Sequence, residues 1–151
     1  MRPHLEYAAA SWDPYTSKNI AYLERVQRQA ARFVTNTYGR DTSVTQLLNT
    51  LQWEPLKSRR EAHRLTSFYK MQNELLDIDY QKFTEPKSDR GRRGHSNQFV
   101  IPTQSTDVYA NSFFPRTIKT WNKLQQSTIS QPDPFKFKSS LLQDPALNTK
   151  N

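Results

Sequence analysis

The sequence predicts a mainly α fold: a small helical array of about four to five helices, with a long basic loop and at most one short strand. Three observations carry this expectation. Apolar residues recur at helical spacing over Lys18–Asn36, Val44–Leu51, Pro55–Leu76 and Ser112–Leu124. Residues 77–111 lose that period. Leu, Ile, Val and Phe together make only about 21% of the chain, and mean hydropathy is −0.91, which permits one modest core at the edge of what such a composition supports.

The first apolar stretch, Leu5 to Trp12, is short, and Pro14 discourages helix beyond Asp13. It reads as the tail of a helix. Lys18 to Asn36 gives the strongest signal. At 100° per residue, Ile20, Leu23, Val26, Ala30, Ala31, Phe33 and Val34 fall within about 60–220°. Lys18, Arg25, Arg28 and Arg32 fall within about 280–360°. An apolar face and a basic stripe are thereby separated. A hydroxyl of Thr16 or Ser17 is placed to cap the start, and the Gly39-Arg-Asp turn ends the region.

Ser43-Val-Thr-Gln46 fits a capping box, followed by Val44, Leu47, Leu48 and Leu51 at helical spacing. Pro55 suits a first helical position, and the helix it opens is expected to reach Leu76. Ala62, Leu65, Phe68, Tyr69, Leu75 and Leu76 share one face of it, with Lys57, Arg59, Arg60, His63 and Arg64 crowding its first half. Lys87 to His95 is polar, basic and Gly-containing, and reads as a loop. Phe99 to Ile101 suits a short strand or an extended segment packed on helices. Ser112 to Leu124 carries Phe114, Ile118, Trp121 and Leu124 in helical register. Asp133-Pro134 supplies a cap and a first position for a last helix, packed by Phe135, Phe137, Leu141 and Leu142. The expected organisation is a helical region over 1–76, a basic loop or linker over 77–111, a helical extension over 112–142 and a frayed tail over 143–151.

The chain has 151 residues, a formal net charge of +8 and a pI near 9.8. The excess is spread: +3 over residues 1–40, −1 over 41–80, +4 over 81–120 and +2 over 121–151. No run of 18 apolar residues suggests a membrane span, and no apolar segment follows the basic start to make a signal peptide. An intracellular chain without a membrane partner is expected. With no cysteine, neither a disulfide frame nor a thiolate zinc site is available.

Catalysis finds little support in these residues. His4, His63 and His95 lack metal-ligand companions at short spacing, and neither a nucleophile elbow nor a phosphate-binding glycine loop occurs. Asp77 and Asp79 are spaced like a metal-binding pair, but a plain turn after a helix is the favoured reading. No catalytic residue, metal or cofactor is expected. The basic clusters point elsewhere. Arg25, Arg28 and Arg32 face one side of a helix, where a row of guanidinium groups suits successive phosphates. The alternative is an ordinary solvated face. Lys57, Arg59, Arg60 and Arg64 form a second cluster, and Arg90, Arg92 and Arg93 a third. Trp53, Tyr69, Phe113 and Phe114 lie near enough to stack on bases, although core packing is the commoner use of such rings.

Arg2-Pro-His-Leu-Glu-Tyr-Ala8, Trp12-Asp-Pro14 and Leu23-Glu-Arg-Val-Gln-Arg-Gln-Ala-Ala-Arg-Phe-Val34 resemble the region after the palm of non-LTR, LINE-type retrotransposon reverse transcriptases. The resemblance continues through Ser43-Val-Thr45, Leu51-Gln-Trp53, Arg59-Arg60, Arg64-Leu65 and Tyr69-Lys70. It resumes at Tyr109, Ser112-Phe-Phe-Pro-Arg-Thr-Ile118, Trp121-Asn122 and Phe137-Lys138. It covers about residues 2–142 and is nearest the jockey-like group, which ends without a zinc knuckle. Gln29 departs from the Arg common at its place.

The resemblance implies the thumb and C-terminal extension of an RNA-directed DNA polymerase. The family's Phe-x-Asp-Asp palm motif, its fingers and its endonuclease have no counterpart here, so a truncated element copy or partial gene model, without polymerase activity of its own, is expected. Weak, salt-dependent and sequence-independent binding to RNA, DNA or RNA–DNA hybrid is the expected activity. Arg25, Arg28, Arg32, Lys57, Arg59, Arg60, Arg64, Arg90, Arg92 and Arg93 are the expected contact residues. A helical protein-interaction module, docking on the polymerase body or another protein, is the alternative, as is a decayed reading frame without activity.

Overall fold

A computed structural model describes residues 8–39, 41–88, 95–103 and 105–148. The chain divides into two compact units, residues 1–61 and 62–151. Both are helical, as the sequence predicts.

In the first unit, α1 (Ala9–Trp12) precedes the long α2 (Ser17–Thr35). Thr16 caps α2, its hydroxyl accepting the Asn19 N–H at 3.4 Å. The helix ends at Asn36, as the sequence predicts. Asn36 adopts the left-handed region at φ 49°, which Asn tolerates better than most residues, and its N–H bonds the Phe33 carbonyl. Next comes α3 (Val44–Thr50), packed on α2. Ser43 holds its cap position, but its side chain makes no capping bond. The expected box is therefore present as a boundary without its hydrogen bond.

The apolar arc of α2 is only partly covered. Gln27 and Ala31 are buried, while Val26, Val34 and Phe33 are 37%, 58% and 76% exposed. Burial is centred near the Gln27–Ala31 line because polar side chains there are anchored. Gln27 donates from Nε2 to the Glu54 carbonyl at 2.8 Å. Glu24 accepts the Lys57 N–H on Oε1 at 2.8 Å, placing a carboxylate against the first turn of α4 (Leu56–Gln72). There it satisfies an otherwise orphan donor and meets the positive end of the helix dipole.

The second unit holds the main hydrophobic core. Ala62, Leu65, Phe68 and Tyr69 enter it from α4. Helix α4 ends at Gln72, short of the expected Leu76. Glu74 turns left-handed at φ 55°, and Leu75 and Leu76 are exposed at 55% and 36%. A 3-10 turn follows at Tyr80–Phe83. An isolated antiparallel bridge pairs Pro86 with Phe99, with the Val100 N–H on the Glu85 carbonyl at 2.8 Å. This agrees with the extended reading of Phe99–Ile101.

After α5 (Asp107–Ala110), α6 (Phe113–Trp121) brings Ile118 and Trp121 to the core, each fully buried. Phe68 sits at its centre, edge-on to Trp121 at 5.1 Å and to Phe99 at 5.5 Å. A short α7 (Gln126–Ile129) leads to α8 (Pro134–Leu141). Asp133 caps α8 as predicted, accepting the N–H groups of Phe135 and Lys136 at 2.8 and 2.9 Å, with Pro134 in the first turn. Phe137 and Leu141 are fully buried, but Phe135 and Leu142 face water. A final turn, α9 (Pro145–Asn148), occupies part of the expected frayed tail.

Within residues 77–111, part of the loop packs on the core of the second unit. His95 and Phe99 are buried, and their segment is tied to the end of α6. Trp121 Nε1 donates to the Asn97 carbonyl at 2.9 Å, and His95 Nε2 bonds the Trp121 carbonyl at 2.9 Å.

Candidate nucleic-acid interface

The outer side of α2 carries the first predicted cluster. Arg25 and Arg28 are exposed and Arg32 is half-buried. Their helical spacing spreads them over about 10 Å along the axis, roughly three phosphate steps of one nucleic-acid strand. Lys18 lies exposed at the start of the same helix. Glu24 is the only acid in α2, and its carboxylate is engaged by the Lys57 N–H. The face presented to water is cationic, and the one carboxylate beside it, that of Glu24, is held at the start of α4. Arg25 also sits 6.0 Å above the ring of Tyr22, a cation–π distance. Tyr22 is 53% exposed, so this half of the helix offers a flat ring beside a guanidinium. Tyr22 lies three residues before Arg25, a spacing visible in the sequence, although on the helical wheel it falls between the apolar arc and the basic stripe.

The second cluster is split by burial. Lys57 is exposed at the start of α4. Arg59 is half-buried, and its Nη1 reaches Gln27 Oε1 at 3.4 Å. Arg60 is 1% exposed, and its Nε lies 2.9 Å from Asp13 Oδ1. Arg64 is 2% exposed. The expectation that Arg60 and Arg64 offer phosphate contacts is corrected. An arginine stem is long enough to pack along helices, and Arg60 meets a carboxylate 47 positions earlier in the chain, a pairing that local sequence does not announce. Arg90, Arg92 and Arg93 lie outside the described residues, as do Leu5 and Tyr7.

The proposed stacking rings are mostly structural. Tyr69 is buried, stacked on Phe137 at 4.4 Å, and donates its hydroxyl to the Gln131 carbonyl at 2.6 Å. Burial, then the nearby Asp133 charge, raises its pKa. Phe113 and Phe114 pack against the core, and Trp53 is half-buried. Other rings face water, among them Tyr22, Phe33, Tyr38, Phe83 and Phe135.

Asp77 and Asp79 are exposed in the bend after α4, with Asp79 Oδ2 3.2 Å from Lys82 Nζ, as the turn reading expects. Among the described residues no group of three or more His, Asp or Glu side chains converges to hold a metal ion, and no helix is long and apolar enough to cross a membrane. His95 accepts the Asn97 N–H on Nδ1 at 3.2 Å, which leaves Nε2 as the donor to the Trp121 carbonyl. Burial lowers its pKa, partly offset by that hydrogen bond. This imidazole is a neutral structural bridge.

No family model, curated protein or solved structure matches the chain.

Proposed function

We propose that the chain is a non-catalytic grip for nucleic-acid backbone, related to the thumb and C-terminal extension of LINE-type reverse transcriptases. Arg25, Arg28 and Arg32 contact phosphates, with Lys57 at the edge. The observation that supports this reading is the outer face of α2: arginines at phosphate-like spacing, with the helix's single acid already engaged. The relation to the reverse transcriptase family rests on the linked sequence blocks. Such a face contacts charge and not base edges, so binding is independent of sequence. Fluorescence anisotropy with RNA–DNA hybrid duplexes of unrelated sequence tests it. Replacing Arg25, Arg28 and Arg32 by Ala weakens binding to all of them alike. Loss restricted to one sequence overturns the backbone assignment.

A second reading has its own support. Val26, Phe33 and Val34 leave part of the α2 apolar arc exposed, more than scattered surface apolar residues explain. A helical interaction module would cover this face with protein. Light scattering without nucleic acid distinguishes the two, because self-association that ends on Phe33→Ser favours the module.

A further inference from the structure

A cleft of about 300 Å³ lies within the second unit, walled by His63, Thr66, Ser67 and Lys70 of α4 and by Phe135 and Lys138 of α8. Every ionisable group lining it is a base. Thr66 and Ser67 donate their hydroxyl protons to the carbonyls of Ala62 and His63, at 2.7 and 3.0 Å. The imidazole and the two ammonium groups therefore remain as donors for a ligand. Burial, then the charges of Lys138 and Lys70, lowers the pKa of His63, so the three bases lie close enough to feel one another. Among the described residues no ion pair engages Lys70 or Lys138. The nearby acid, Asp133, is committed to the first turn of α8, where Oδ1 accepts two N–H groups and Oδ2 lies 4.0 Å from Lys136 Nζ.

Phe135 is the second feature. It is 80% exposed, although Phe137 and Leu141 on the same helix are fully buried. The core does not use this ring, and it stands at the rim of a cationic cleft. Ammonium groups beside an open aromatic face match the two parts of a nucleotide, a phosphate and a base. The base must have a free face to stack on Phe135, which a base inside a duplex lacks. Single-stranded binding sites combine charge and aromatic platforms in this way.

We propose that this cleft binds one nucleotide unit of single-stranded DNA or RNA, with Lys70 and Lys138 on a backbone phosphate and Phe135 stacked on the adjacent base. The ligand class rests on the nucleic-acid reading above, but the residues are different, so the two fail separately. An isolated phosphate or an acidic peptide would occupy the lysines and leave Phe135 idle.

The test uses the full chain and anisotropy with a labelled oligothymidylate and an abasic phosphodiester strand of equal length. Oligothymidylate binds more tightly than the abasic strand. Phe135→Ala weakens oligothymidylate binding by about tenfold, the size of one base–aromatic stack, and leaves the abasic strand unchanged. The Lys70→Ala, Lys138→Ala double variant weakens both. Far-UV circular dichroism confirms that each variant remains folded, as expected for substitutions away from the core. Equal binding of the two strands, equal loss on both with Phe135→Ala, no loss with Phe135→Ala, or failure of either strand to bind overturns the proposal. So does a phosphoserine peptide that displaces oligothymidylate equally from wild type and Phe135→Ala. If the Arg25, Arg28, Arg32 variant binds hybrid duplex like wild type while Phe135→Ala shows the stated loss, the cleft stands and the α2 reading falls. The opposite pattern overturns the cleft alone.

Discussion

The side chain of Asn122 brackets the peptide of Phe99: its Oδ1 accepts the Phe99 N–H at 3.0 Å and its Nδ2 donates to the Phe99 carbonyl at 2.7 Å. A side-chain amide here acts as a strand partner. It satisfies both backbone groups of a residue whose ring is buried beside Phe68, where unpaired polar groups would be costly. With the Trp121 bonds to Asn97 and His95, this ties the 95–99 segment to the end of α6.

Replacing Asn122 by Ala removes both bonds and is expected to destabilise the protein by about 1–3 kcal/mol. Hydrogen exchange at the Phe99 amide should accelerate more than exchange in α4. Unchanged protection at Phe99 would show that the bracket is not what orders the segment.

These relationships explain how far the sequence could be read. Local signals mark helix starts well: Thr16 and the Asp133-Pro134 cap act within a few residues, so a short window contains the physics. Phe68, Ile118 and Trp121 were identifiable as core from spacing. What a wheel could not tell is which part of a broad apolar arc meets a partner. On α2, polar Gln27 and Glu24 fix the docking line, and Phe33 is left in water. For the candidate site, Arg25 and Arg28 were legible because exposure is the ordinary state of helix arginines. Arg60 was not, because its fate depends on distant Asp13.

The Asp13–Arg60 pair gives a stability prediction. The two side chains are only 8% and 0% exposed. Asp13→Asn leaves the Arg60 charge uncompensated and is expected to cost about 3–5 kcal/mol, whereas the joint change Asp13→Leu, Arg60→Met should recover most of it. Urea unfolding of the three proteins measures this. A single variant as stable as wild type would contradict the structural assignment of Arg60.

His95 predicts a pH dependence. Its folded pKa lies below the ordinary 6.5, so near and below pH 6.5 the unfolded chain takes up a proton that the folded chain refuses. The stabilisation is complete above pH 6.5 and is lost as pH falls below it. Unfolding midpoints followed downward through that window should fall, and His95→Gln should flatten the response. A midpoint that rises on acidification would reverse the sign and remove His95 as its cause.

Glu24 is expected to separate stability from binding. Glu24→Ala removes the carboxylate from the start of α4 at a cost of about 1 kcal/mol, and it takes a negative charge from beside Arg25 and Arg28. Thermal unfolding should therefore shift down while affinity for nucleic acid rises. Loss of both would indicate that α2 is displaced by the change.

The arginine face of α2 is tested most directly by the salt dependence of binding to an RNA–DNA hybrid. If Arg25, Arg28, Arg32 and Lys57 each neutralise a phosphate, log affinity falls against log salt with a slope near −3 to −4, or roughly 60- to 260-fold between 50 and 200 mM. Replacing the three arginines by Ala should reduce the magnitude of that slope by about 2 to 3. A flat binding curve, or a slope unchanged in the triple variant, would contradict the account.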